Sequence, residues 1–319
     1  MELSWLFVFK IGASLAGIIA GMGMFSELSW SAKLKVTAAL LAGIILIGFF
    51  AWPLAAPVEP FGVISVPVFG KAVTLMGLAV LTGFIGYFLS WPYGQEIGIL
   101  AVPAGLAVWA VRCGNMTELI RLNPTLAHRQ ELFALLKWEP IFWLAIVAAG
   151  FGGVLIGRHL VSRSSSFVPR PSFLVPRIFA VVISVFIAQF CIGIFAQDVR
   201  IGPVVAQPSV GQIVFAVLVS FGIAAFLVKK FLDASYVWPI AASALVTGFA
   251  VITRIRQDTL QQLVERYPPA LFSSSIISIL PVQMVAFGVL GSIAGYWLAV
   301  RYDYWRKHLS ISASPGIER

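Results

Sequence analysis

This sequence predicts an all-α, polytopic membrane bundle of about nine transmembrane helices, on three observations. Nine apolar stretches, each about long enough to cross a bilayer, occupy most of the 319 residues. Hydrophobic residues make up 60% of the chain and charged ones only 11%, with a mean hydropathy of +0.95. The basic residues sit mainly in short segments between the stretches. A water-soluble domain of this size cannot cover so much apolar surface, so lipid is the solvent the sequence asks for.

Crossing hydrocarbon about 30 Å thick takes roughly 20 helical residues. The spans fall at Trp5–Phe25, Leu34–Ala56, Lys71–Trp91, Ile97–Val111 and Pro140–Gly157, then Ile178–Gln197, Gly211–Val228, Tyr236–Ile252 and Ile276–Val300. The first is no cleaved signal peptide by this reading: Glu2 precedes it, a basic leader is missing, and Lys10 interrupts its apolar core. The fourth is short and carries Pro103, which leaves a re-entrant segment as its alternative. Backbone amides have no partner in lipid, so the spans are helices, and the alternating ten-residue segments of a β-barrel do not occur. Seven tryptophans, including Trp52, Trp91, Trp109, Trp138 and Trp143, lie near span ends, where an interfacial belt is the simpler reading and an aromatic ligand box the sharper one.

The chain divides into a front bundle over 1–160 with five spans, a linker over 161–177, a rear bundle over 178–300 with four, and a polar tail over 301–319. In the linker, VSRSSSFVPRPSFLVPR, serines and three prolines oppose a helix. The net charge of +9 does not point to nucleic acid, because the cations follow the loops. Twelve basic residues lie on the side of the tail and nine on the other, which predicts a cytoplasmic C-terminus in a plasma (inner) membrane.

Three GxxxG pairs stand at Gly17/Gly21, Gly153/Gly157 and Gly291/Gly295, in spans one, five and nine and spaced by 136 and 138 residues. Pro67 with Pro203 and Pro103 with Pro239 repeat the offset of 136. These spacings suggest a four-span duplication of the parallel kind, with span nine opening a third unit. For the glycines themselves, close helix packing outweighs contact with a substrate. The loops after spans four and eight share a Leu-Arg-Pro-Leu order around Arg121 and Arg266. Asp258 and Asn123-Pro124 are the expected openings of interfacial helices there, with a lid over a central cavity as the alternative.

Polar groups inside the spans are few. Lys10 lies within span one, where snorkelling to the surface is the plainer account and function the sharper. Gln189 and Gln283 need partners at mid-span, either a neighbouring helix or a bound substrate, and Pro281 should free a carbonyl close to Gln283. Glu96, Glu139 and Asp198 fall at span ends within reach of water. His128, His159 and His308 are scattered, Cys113 and Cys191 form no CxxC, and no Walker, GxSxG or HExxH motif occurs. No metal, cofactor or catalytic residue is therefore expected, and an ion-coupled pump has too few buried carboxylates.

Three functions remain. The first is a permease- or flippase-like protein for an apolar or amphipathic cargo. The second is a non-catalytic anchoring or scaffold subunit that contacts other membrane subunits. The third is an enzyme acting on a lipid-linked substrate through interfacial Glu96, Glu139, Arg121 or Arg266.

Overall fold

A computed structural model describes residues 30–55, 69–161, 174–197, 200–201, 204–254, 271–272 and 274–312. Almost all of them are helical. Seven helical stretches are long and apolar enough to cross a membrane: Lys33–Phe50, Gly70–Leu89, Gly94–Arg112, Leu126–Val161, Arg177–Phe195, Val210–Leu232 and Pro281–Arg306. A shorter apolar helical stretch covers Val237–Ala250. The first expected span, with Lys10, Gly17 and Gly21, lies outside the described residues, as do Arg266 and the helix expected after Asp258.

Helix α1 (Trp30–Gly43) runs into a π-helical segment (Ile44–Phe50), followed by the short α2 (Trp52–Ala55). Next come α3 (Phe69–Leu89), the single turn α4 (Gly94–Ile97), a 3-10 turn (Gly98–Leu100) and α5 (Ala101–Arg112). Pro103 sits in the first turn of α5, where a missing N–H costs no helical bond, and ten of that helix's twelve residues are buried. The fourth span is thus a helix, short in its α-helical part and extended by the turns before it.

Two small helices, α6 (Met116–Leu122) and α7 (Leu126–Leu136), lead to α8 (Glu139–Val161). The expected opening at Asn123-Pro124 is shifted in the structure. Asn123 closes α6, and Thr125 caps α7 by accepting from the His128 N–H at 3.3 Å. In the rear half stand α9 (Leu174–Phe195), α10 (Val210–Leu232), α11 (Val237–Arg254) and α12 (Pro281–Ser312). The helix in the ninth expected span begins five residues later than its apolar run, because Ile276–Ile279 form turns and Pro281 is the natural first residue of a helix.

Two helix pairs organise the packing. Helices α3 and α8 run parallel, with Val80 against Gly153 and Tyr87 against Gly157. Helices α10 and α12 also run parallel, with Leu218 against Gly291 and Gly222 against Gly295. A Cβ on Gly153 would come within 1.9 Å of the Val80 carbonyl oxygen, and one on Gly295 within 2.0 Å of the Gly222 carbonyl oxygen. At both seams bare glycine lets two backbones touch. Helix α12 is buried on every side from Pro281 to Ile293 and packs on α5, α8, α10 and α11, so it is the axis of the bundle.

One end of the bundle carries strands that the apolar pattern does not reveal. β1 (Arg200–Ile201), β2 (Val204–Ala206) and β3 (Leu271–Phe272) form a small antiparallel sheet in that order. The Gln207 Oε1 beside it accepts both the backbone N–H and the hydroxyl of Thr117 at the start of α6. The segments after α5, α9 and α11 therefore meet at one end, as alternating up and down helices require.

Candidate functional site

The polar centre of the molecule lies under that end, where the C-terminus of α5 meets the starts of α8 and α12. Glu139 opens α8 and is 4% exposed. One turn on, Trp143 presents the same helix face, and its indole N–H donates to Glu139 Oε1 at 3.0 Å. The second carboxylate oxygen, Oε2, is buried and has no hydrogen-bond partner. A lone buried polar group of this kind costs about 2–7 kcal/mol, and an isolated ionised carboxylate far more. Water was expected to reach Glu139 at its span end. The structure closes it in, because the ends of α5, α7 and α12 pack against α8 and Trp143 lies over one carboxylate oxygen.

Gln283 stands at the third position of α12. Its Oε1 accepts the Leu280 N–H at 3.0 Å, the reach-back half of a capping box. Its Nε2 donates to the carbonyls of Ala110 at 3.0 Å and Gly114 at 3.3 Å, at the end of α5. The amide thus fastens the start of one buried helix to the end of another. Pro281 frees no carbonyl for it, since the helix begins at that proline.

Gly114 itself has a φ of +74°, and the Glu118 carboxylate folds back to within 2.0 Å of where a Cβ would stand. That turn needs glycine on both counts. Beside it, the Cys113 thiol donates to the Trp109 carbonyl at 2.7 Å. Burial first, and the Glu139 carboxylate second, push this thiol well above its ordinary range.

Three tryptophans wall the site. Trp109 meets Trp52 and Trp143 edge to face at 6.0 and 5.8 Å. The Trp109 indole donates to the Gly48 carbonyl at 3.0 Å, within the π-helical segment, whose wider turns disturb the regular ladder. Arg112 lies over the Trp52 ring at 4.3 Å. Trp109 and Trp143 were expected in an interfacial belt, yet both are fully buried, whereas Trp91 and Trp138 are exposed. The buried pair have indole partners inside the protein and the sequence position alone does not disclose them.

Arg129 is a further buried charge. It is 5% exposed, and its Nε donates to the Asn123 carbonyl at 2.9 Å, while one terminal nitrogen, Nη1, has no partner. It falls on the buried side of α7 with Leu132, Phe133 and Leu136.

The remaining candidates scatter. Gln189 is half-buried on α9, beside the buried row Ala180, Ser184, Ala188 and Ile192. Among the described residues no hydrogen bond joins it to Gln283, whose amide partners are Leu280, Ala110 and Gly114. Arg121 is exposed in the last turn of α6, where its charge suits the helix dipole. Gly153, Gly157, Gly291 and Gly295 lie in the two seams. Among the described residues, no three His, Cys, Asp or Glu side chains gather as a metal site. No protein-family model, no curated protein and no solved structure matches this chain.

Proposed function

We propose that this chain is an integral membrane protein of the permease- or flippase-like type, which moves an apolar or amphipathic cargo without catalysing a reaction. One observation carries the reading. Two parallel helix pairs, each seamed by glycine against backbone carbonyl, join at the axial helix α12. The matching contacts, Val80 on Gly153 and Leu218 on Gly291, are offset by 138 residues on both helices, which supports a parallel duplication of four spans. Paired units of this kind can rock against each other, each held together by its own close glycine seam.

The cations at the other end support a membrane orientation. Lys230 lies over Tyr302 at 4.5 Å, Lys229 over Tyr296 at 5.4 Å and Arg301 over Trp305 at 4.5 Å. This aromatic and basic rim is suited to the anionic leaflet, with the C-terminal tail on the cytoplasmic side of a plasma (inner) membrane.

Purified protein in liposomes tests the proposal. Uptake or flipping of at least one member of a panel of lipids and hydrophobic solutes is expected, and failure across the panel would overturn it. A scaffold role within a larger membrane complex is the second reading. It is favoured by Gln283, whose polar atoms all serve helix joining and leave none for a cargo. Purification in mild detergent separates the two, because a scaffold brings partner subunits and a permease stands alone.

A further inference from the structure

Glu139 is unlike any other acidic residue described. It is 4% exposed and one of its oxygens is unpartnered, although its other oxygen holds the Trp143 indole. Among the described residues no Lys, Arg or His forms an ion pair with it; the ion pair found there joins Lys229 to Asp233. None of the charged groups named at that end of the packed elements forms an ion pair with it, although Arg129 is itself buried with one terminal nitrogen unpartnered. Arg112 covers the Trp52 ring, Arg129 donates to the Asn123 carbonyl, and Lys137 is exposed. Cys113 remains as the titratable neighbour, with its thiol turned to the Trp109 carbonyl. The start of α12 offers Gln283, which is uncharged and already bonded on both ends of its amide.

A metal cation is a poor fit to this oxygen. Hard cations take about six or more oxygen ligands, and here the carbonyls of Ala110 and Gly114 already accept the Gln283 amide. Trp109, Trp143 and Gln283 around the site are fully buried, so a bulky organic cation would have to displace them. A proton needs one lone pair and no space.

We propose that Glu139 is a proton-binding site of this bundle. Oε2 takes up the proton when the ends of α5, α8 and α12 are closed together, and returns it to water when they part. The proton is conserved: it leaves one aqueous side as the Oε2–H bond forms and reappears as that bond breaks. The coupling of this step to cargo rests on the permease-like reading; the protonation itself does not.

The test is spectroscopic and uses the full chain in lipid at neutral pH. Infrared difference spectra of wild type against Glu139→Gln should show one protonated-carboxyl C=O band that is lost in the variant, which keeps an amide oxygen for Trp143. Glu118→Gln, at an exposed position, should retain the band. If the Gln variant fails to fold, wild type carrying ¹³Cδ-labelled glutamate gives the same answer by solid-state NMR, as one neutral carboxyl signal. Finding only ionised glutamate signals would overturn the proposal. Proton release during cargo uptake by liposomes then reads the coupling. A protonated Glu139 with no uptake sinks the permease reading alone, and uptake with an ionised Glu139 sinks the proton site alone.

Discussion

The two glycine seams make nearly the same contact in very different settings. In the front pair, α3 and α8 each bury one face, leaving residues such as Val73, Leu81, Leu155 and Ile156 on the outside. In the rear pair, α12 is enclosed all round for three turns and supports four other helices. A glycine contact is local, but the damage from losing it depends on how many helices lean on the same backbone. The front seam can open outward. At the rear seam α12 cannot shift without displacing the other helices packed on it.

The largest effect is therefore expected from Gly295→Val. Its branched side chain would meet the Gly222 carbonyl and force the axis of the bundle aside, at a cost of about 3 kcal/mol or more. Gly153→Val meets the Val80 carbonyl just as closely, yet α3 can tilt away, so about 1–3 kcal/mol is expected. Thermal denaturation in mild detergent, followed by size-exclusion fluorescence, ranks the two. A greater loss in the front seam would erase the distinction between axis and periphery.

Gln283→Leu sharpens the same comparison at the start of the axial helix. It strands the Leu280 N–H and removes a donor from two carbonyls of α5, for about 2–3 kcal/mol in the same assay. Next in size is Trp109→Phe, which keeps most of the ring but orphans the Gly48 carbonyl of the π-helical segment, for about 1–2 kcal/mol. Ser209→Ala is smaller again. It deletes the cap that accepts the Gln212 N–H of α10, and about 1 kcal/mol of lost stability is expected. The smallest and opposite effect belongs to Gly77→Ala on the exposed side of α3, where a Cβ meets nothing within 4 Å. About 0.5–1 kcal/mol of added stability is expected there.

The helical class was legible because apolar length is what a bilayer demands, and long runs such as those of α3 and α10 admit no other structure. Boundaries are legible where a proline or a capping residue marks them, though at α12 the apolar run from Ile276 hides the start at Pro281. The polar centre was much less readable. Glu139 and Trp109 stand near span ends, and whether an end is wet depends on segments folded over it from far along the chain. Gln283 was singled out by its position within an apolar stretch, but its partners on α5 lie about 170 residues away and leave no local pattern. The small sheet joins strands of two and three residues, too short to show any alternation.

The enclosed position of α12 bears on how the molecule is assembled in the cell. A ribosome delivers the helices in order, and α12 leaves it after every other helix described here. Until it arrives, the carbonyls of Leu218 and Gly222, the Phe221 ring and the Ala110 carbonyl lack the partner they have in the folded chain. The seat of the axis is then the last of the helix interfaces described to be completed. Truncated chains that stop before Pro281 should remain bound to insertion machinery or chaperones, while chains reaching Gly295 can release themselves by closing their own centre.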